Sequence, residues 1–181
     1  MKKLVFTIFV VLACLLFGRN SYAQQDKPTE YHVKAVFLYN FANFVKWPEK
    51  AFSSKTDPII IGVFGKNPFG EALDRIVDDE YVDERPIVIK YSESTEELSS
   101  CHILYIATFD KELLALILGK VNNTNILTVG EVEKFTGLGG IIGFVMEENK
   151  VQFDINMKAA EKANLKVSSK LQKVARKIIK D

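Results

Sequence analysis

Two neighbouring residues, Cys101 and His102, are the side chains of this sequence best suited to nucleophilic chemistry. A thiolate activated by an imidazole is the pair that cysteine hydrolases use. The two residues begin a predicted strand, however, and successive side chains of a strand point to opposite faces. A catalytic pair would therefore need the distant His32 to approach the thiol. We predict no such pair, and we expect Cys101 to be a buried free thiol.

Other patterns that can bind phosphate or metal are incomplete. Gly65–Gly70 lies between a strand and a helix but lacks the Gly-Lys-Ser/Thr ending of a phosphate loop. Gly137–Gly143 opens a strand, whereas the dinucleotide fingerprint opens a helix. The acidic residues 78–84 lack the spacing and glycine of a calcium loop, and two histidines are too few for zinc. We predict no catalytic residues, no cofactor and no metal site, and hence no enzyme.

The bulk composition is that of an ordinary globular protein, with 48% apolar and 26% charged residues and a formal net charge of +1. There is no excess of basic residues that would indicate nucleic-acid binding. The acidic loop 78–84 is most simply a solvated loop, although it offers charge to a basic partner. Composition and charge therefore do not identify a function.

The first residues have the pattern of a secretory signal. Lys2 and Lys3 precede an apolar run, and Ser21-Tyr22-Ala23 is a small-x-small cleavage site. We predict a removed signal peptide at 1–23, cleavage after Ala23 and a single domain at 24–181. A lipoprotein signal acylated at Cys14 is the alternative. With cleavage at Ala23, Cys101 is the only remaining cysteine, so no internal disulfide can form.

A strongly aromatic segment, residues 30–48, is predicted to be the helix around which the core forms. Its apolar residues recur at three- and four-residue spacing, with a start signal at Thr29 and a stop at Pro48. A helix this apolar must cover a broad surface, most simply a sheet. One edge of the helix is a candidate partner surface, formed by Phe37, Phe44 and Trp47.

Short apolar runs alternate with helical patterns along the rest of the chain. The predicted strands are 59–64, 86–89, 102–106 and 125–129, and a hairpin joins 141–146 to 151–155 with Gln152 and Asp154 on its wet face. Helices are predicted after Asn67, Ser94 and Asp110, for one turn at 131–135, at 157–163, and from Ser168 or Ser169 to Ile178. The fold class predicted is a three-layer α/β structure: a mostly parallel sheet with an antiparallel C-terminal hairpin and helices on both faces.

A set of residues in this order and spacing resembles the YfiR family of periplasmic proteins. The set comprises Lys34-Ala35, Leu38-Tyr39-Asn40-Phe41, Phe44, Trp47-Pro48, Ile61-Gly62-Val63, Asn67-Pro68-Phe69-Gly70, Arg85-Pro86, Cys101-His102-Ile103-Leu104, Leu127-Thr128-Val129, Gly139-Gly140, Asn149-Lys150-Val151, Phe153-Asp154-Ile155-Asn156, Ala159-Ala160 and Leu165-Lys166-Val167-Ser168-Ser169. The likeness runs from about Glu30 to Lys177.

The resemblance implies a function that composition does not show. The best understood members of the YfiR family are periplasmic repressors that bind the sensor domain of an inner-membrane diguanylate cyclase, and release of the cyclase raises cyclic di-GMP and promotes biofilm. Family members can form dimers, and stress is thought to act partly through their disulfides. This chain departs from that pattern because its mature form keeps only Cys101. The expectation is therefore a non-catalytic periplasmic repressor. The alternative is a periplasmic small-ligand-binding protein with its site at the strand carboxyl ends.

Overall fold

The structure is a computed structural model, and it describes residues 29–180. Within that range it contains five α-helices and ten strands. The helices are α1 (Glu30–Phe44), α2 (Ala72–Val77), α3 (Lys111–Lys120), α4 (Met157–Lys162) and α5 (Ser169–Val174). The strands are β1 (Val45–Lys46), β2 (Ile59–Gly65), β3 (Tyr81–Val82), β4 (Arg85–Ser92), β5 (Ile103–Ala107), β6 (Leu127–Gly130), β7 (Ile142–Glu147), β8 (Lys150–Asn156), β9 (Lys166–Val167) and β10 (Lys177–Ile179).

The described strands form one eight-stranded sheet in the order β10-β8-β7-β6-β5-β2-β4-β3, with β1 and β9 as a separate antiparallel pair. The five central strands β4, β2, β5, β6 and β7 are parallel to one another, whereas β7–β8 and β3–β4 are antiparallel hairpins. This mixed α/β fold, with a mostly parallel sheet and a C-terminal hairpin, confirms the predicted class.

Helices cover both faces of the sheet, because residues alternate between its faces. On β5, Ile103 and Tyr105 belong to the larger core cluster, which includes residues of α1, α2, α4 and α5. Leu104 and Ile106 belong to the second cluster, which contains residues of α3. The layers are therefore helix, sheet and helix.

The predicted core helix is α1, and it begins and ends for local reasons. The Thr29 side chain accepts a hydrogen bond from the His32 N–H at 3.3 Å, which caps the first turn. Val45 takes an extended conformation and passes into β1. Phe41 of α1 packs against Phe144 and Phe153 of the hairpin, with ring centroids 5.9 and 5.3 Å away.

The helix predicted after Asn67 begins later than expected, at Ala72. The Asn67 side chain accepts from the Phe69 N–H at 2.8 Å and donates to the Gly70 carbonyl at 3.0 Å, so it closes a turn instead of capping a helix. Gly70 has a φ of +57°, which no α-helical residue adopts. Turn chemistry therefore replaces the predicted first helical turn.

Two short predicted helices are turns in the structure. The Ser94 hydroxyl accepts from the Glu96 N–H at 3.2 Å, which is a local turn, and only a 3-10 turn at Leu98–Ser100 follows. Residues 131–135 form turns without an α-helix. In each case local side-chain hydrogen bonds or a buried ring decide the backbone path.

The last predicted helix ends early, after α5, and its final turn is instead the edge strand β10. The Arg176 N–H donates to the Phe153 carbonyl at 2.9 Å, and β10 continues parallel to β8. Pairing with the sheet thus overrides the helical apolar spacing of this segment. Asp154, expected on a wet face, is only 8% exposed because Arg176 covers it.

Within the described range, no helix is both long and apolar enough to cross a membrane. Residues 1–23, with the predicted cleavage at Ala23 and the alternative lipid site Cys14, lie outside the described residues.

Candidate functional site

A groove of about 580 Å³ opens beside the carboxyl end of β6. Its walls are the first turns of α1, the loop that follows β6, the β7–β8 hairpin, and the chain around β10. Ligands of open α/β sheets commonly bind outside the carboxyl ends of the strands. The groove therefore lies where the small-ligand alternative places its site.

A buried lysine, Lys34, lies at one end of this groove. Its side chain is 2% exposed, and its ammonium donates hydrogen bonds to carboxylate oxygens of Glu30 and Glu131. The ammonium also lies 4.5 Å from the centroid of the Tyr31 ring. Two opposite charges and a ring face compensate the burial of this cation.

The carboxylate of Glu131 collects three donors. Besides the Lys34 ammonium, it accepts the hydroxyls of Tyr105 at 2.8 Å and Tyr31 at 3.1 Å. Burial and then the negative charge of Glu131 raise the pKa of both tyrosines, so both stay protonated as donors. Burial lowers the pKa of Lys34, but its bonds to Glu131 and Glu30 outweigh that effect and the pKa is raised.

A second ion pair lies at the other end of the groove. The Arg176 guanidinium donates two hydrogen bonds to Asp154, at 2.8 and 2.6 Å, and also lies 3.5 Å from Glu147. This fork geometry is the strong form of an arginine–carboxylate contact. The pKa of Arg176 is raised, mainly because its guanidinium donates hydrogen bonds to Asp154.

The loop after β6 is anchored by one aromatic ring. Phe135 is 2% exposed and packs between two glycines. A Cβ atom at Gly130 would lie 2.4 Å from the ring, and one at Gly140 would lie 2.0 Å from it. Any larger residue at either position would displace the ring, so Phe135 is closely packed in this wall of the groove.

The groove contains both charge signs, but its buried groups are already satisfied. Within residues 29–180, every buried side-chain nitrogen or oxygen has a hydrogen-bond partner. The same residues include no group of three or more histidine, cysteine, aspartate and glutamate side chains placed to hold a metal. A polar ligand that binds in this groove would therefore have to replace one of the existing ion-pair contacts.

Residues 31–176 match the family described as YfiR/HmsC-like. This match spans most of the 181 residues. The chain belongs to the YfiR/HmsC-like family. The YfiR/HmsC-like family is periplasmic, and regulatory rather than catalytic. A search of curated proteins found no match.

In this YfiR/HmsC-like chain, Cys101 and His102 lie in different environments. Cys101 is a free, buried cysteine of the second core cluster, and burial raises the pKa of its thiol. Its sulfur lies where a side chain at Gly62 would be, 2.3 Å from an added Cβ. His102 accepts the Ile60 N–H at Nδ1 (3.1 Å) and donates from Nε2 to the Ala51 carbonyl at 3.2 Å. Both residues are packed and bonded as parts of the fold.

The three residues predicted as a partner surface are half-buried. Phe37 packs against Phe153 with ring centroids 5.3 Å apart, and Trp47 donates its indole N–H to the His102 carbonyl at 3.2 Å. Phe44 packs against the larger core cluster. Their role in partner binding stays a prediction.

Some large apolar or aromatic side chains are more exposed, and three of them lie on β3 and β4, at one end of this YfiR/HmsC-like sheet; others, such as Phe109 and Val174, lie elsewhere. Tyr81 is 56% exposed, Tyr91 42% and Val88 39%. The sequence pattern did not single out these residues. The available signal was their position within or soon after the acidic segment 78–84, predicted as a loop but containing the short strand β3, and only the strand order places them at an edge of the sheet.

Proposed function

We propose that this protein is a periplasmic regulatory binding protein that represses an inner-membrane diguanylate cyclase by binding its periplasmic sensor domain. The observation that carries the proposal is the family match over residues 31–176. The structure of residues 29–180 supports it, because the buried polar side chains of this range are occupied in hydrogen bonds, whereas several large apolar side chains are exposed.

The proposed mechanism is a population shift. A repressor works if it binds the inactive arrangement of the sensor more tightly than the active one. Moving a two-state equilibrium from almost fully active to almost fully inactive needs a preference of about 10⁴-fold, or roughly 5.5 kcal/mol. Such a preference suits a protein–protein interface of ordinary size, about 1,200–2,000 Å².

The proposal includes export. Residues 1–23 act as a signal peptide and residues 24–181 as a single periplasmic domain. Mass spectrometry of the protein released from the periplasm is expected to show Gln24 as its first residue. A diacylated N-terminus at Cys14 would instead support the lipoprotein alternative.

The regulatory role is tested by identifying the proteins that bind this chain and by measuring cyclic di-GMP in the same strain. The tagged full-length chain is produced in its native bacterium and the membranes are solubilised. The tagged protein is then captured, and the proteins bound to it are identified by mass spectrometry. We expect a diguanylate cyclase with a periplasmic domain among them, and lower cyclic di-GMP when the chain is overproduced. Capture of no cyclase, with cyclic di-GMP unchanged, would reject the proposal.

A second candidate function, binding of a small polar ligand, is favoured by the charged groove between Lys34 and Arg176. Binding stabilises the folded state by RT ln(1 + [L]/Kd), about 2.7 kcal/mol at a ligand concentration 100 times Kd. A thermal-shift screen of polar metabolites on wild-type protein and on Arg176→Gln separates the two functions. A rise in Tm that Arg176→Gln abolishes supports the ligand-binding function, and no rise with any compound counts against it.

A further inference from the structure

The outer side of β4 is an open sheet edge over most of its length. Its neighbour β3 pairs only with Arg85 and Pro86, whereas β2 pairs with β4 from Ile87 to Ser92 on the inner side. The Ile87 N–H donates outward, to the Glu80 carbonyl, at 3.0 Å. Because strand residues alternate with period two, the N–H groups of Ile89 and Tyr91 point to the same outer side. These groups are therefore available to another strand.

Exposed apolar or aromatic side chains lie on both faces of the sheet along this edge, and one exposed lysine, Lys90, lies among them. Val88 and Tyr91 lie three residues apart on β4, so their side chains point to opposite faces of the sheet. Both side chains are more than a third exposed. Tyr81 of β3 adds a third exposed apolar side chain at the start of the edge. An added strand would cover these side chains as well as pairing with the backbone.

The edge is bordered by negative charge at both ends. Residues 78–97 include eight acidic and two basic residues, a formal charge of −6. The four acidic residues Asp78, Asp79, Asp83 and Glu84 are exposed before β4, and Glu93, Glu96 and Glu97 are exposed after it. Residues 158–180, by contrast, hold eight basic residues and one acidic residue, and this segment includes β10, at the opposite end of the sheet.

We propose that this edge docks an extended, lysine- or arginine-bearing segment of a partner protein, which adds a strand to β4. Main-chain hydrogen bonds to Ile89 and Tyr91 supply the affinity, and the acidic borders select a basic segment. The inference rests on the proposed function in so far as a regulatory binding protein needs a docking surface. It names that surface and the chemistry of the occupant.

A second copy of this chain fits the edge less well. Antiparallel pairing of β4 with β4 would bring the acidic loop of each copy close to the acidic residues after β4 of the other, which is repulsive. The basic edge strand β10 has three residues, whereas the open part of β4 has five, Val88–Ser92. Self-association is therefore kept as a competing outcome of the test.

The test uses the exported protein and a capped peptide of alternating valine and lysine, with a valine–glutamate peptide of the same length as the control. We expect the lysine peptide to bind, the glutamate peptide not to bind, and bound peptide to slow hydrogen exchange of the Ile89 and Tyr91 amides. Binding without protection of these amides, equal binding of both peptides, or no binding of the lysine peptide would overturn the proposal.

Two variants distinguish strand addition from general attraction. Tyr91→Pro removes one outward N–H without touching the inner ladder, and Tyr91→Thr is its matched control, since both lose the Tyr91 hydroxyl bond to Asp74. We expect about tenfold weaker peptide binding for Tyr91→Pro alone. Equal binding by both variants, or concentration-dependent self-association that Tyr91→Pro abolishes, would overturn the proposal.

A third variant removes charge and serves if Tyr91→Pro does not fold. The triple change Asp78→Asn, Asp79→Asn and Asp83→Asn keeps the left-handed backbone at Asp79 and Asp83, which asparagine tolerates. We expect it to weaken lysine-peptide binding by about tenfold and to reduce the salt dependence of that binding. Unchanged affinity would overturn the role of the acidic borders.

The same variants keep the two proposals separate. Loss of cyclase capture by Tyr91→Pro but not by Tyr91→Thr supports this surface. Capture that both variants retain removes the surface and leaves the regulatory role standing. If wild-type protein captures no cyclase but binds the peptide as expected, the regulatory role fails and the docking edge stands.

Discussion

Lys34 and Glu131 are 97 residues apart in the sequence, and their side chains form a buried ion pair. The pair joins the core helix α1 to the loop that follows β6. Since Glu131 also accepts two tyrosine hydroxyls, the contact fixes the end of the sheet where the charged groove opens.

The first prediction concerns that ion pair. Lys34→Met leaves the partly buried Glu131 carboxylate, 14% exposed, without its cation, so we expect it to lower the free energy of unfolding by about 3 kcal/mol. Lys34→Met combined with Glu131→Gln is expected to cost less than Lys34→Met alone, because no buried charge is left uncompensated. Urea denaturation measures both. The exposed Lys170→Met is the control, expected within about 0.5 kcal/mol of wild type, and an equal loss in Lys170→Met and Lys34→Met would contradict the prediction.

The second prediction is a pH dependence from His102. Burial is the main cause that lowers the pKa of this ring below its ordinary value of 6.5, and the hydrogen bond that Nδ1 accepts from the Ile60 N–H needs the neutral form. Between the lowered pKa and 6.5 the unfolded chain binds more protons than the folded protein. The stability from His102 is therefore fully present above pH 6.5 and is lost as the pH falls from there to the lowered pKa.

The measurement for His102 is the free energy of unfolding at a series of pH values on both sides of 6.5. His102→Asn is the matched variant, because an amide oxygen can still accept the Ile60 N–H without titrating. The charged neighbours Arg85 and Asp57 are the same in both proteins. We expect a shallower acid decline for His102→Asn, and parallel curves for the two proteins would refute the assignment.

The third prediction concerns the thiol. Cys101 is buried and its pKa is raised by burial, so native protein presents little reactive thiolate. We expect a thiol reagent to label it at the rate of unfolding, and at once in denaturant. Cys101→Ser is the control for background labelling. Rapid labelling of the native protein, as fast as that of the denatured chain, would show that the sulfur is accessible.

The fourth prediction concerns the ring that anchors the groove wall. Gly140→Ala places a methyl group 2.0 Å from Phe135, so we expect it to cost about 1–3 kcal/mol of unfolding free energy. Adding Phe135→Leu provides space for the methyl group, and the two changes together should cost less than the sum of their separate costs. A double-mutant cycle in urea measures this coupling, and strictly additive costs would mean that the ring does not occupy this space.

The sequence predicted most of the architecture, because those parts depend on local patterns. The aromatic spacing and Thr29 indicate α1, the β-branched run at 59–64 indicates β2, and Asp110 caps α3 as predicted, with its carboxylate accepting two N–H groups. The alternation around residues 148 and 149 indicates the hairpin. The order and spacing of such residues also carried the family resemblance, which the family match confirms.

Tertiary structure decided the site and the edge. The final segment has a helical pattern, yet it becomes β10 because Arg176 binds Asp154 and the backbone of Phe153. No local pattern could have predicted that Lys34 pairs with Glu131, or that the open side of β4 lies between two acidic segments. These relationships join residues far apart in the chain, and their energies exist only once the strands are ordered side by side.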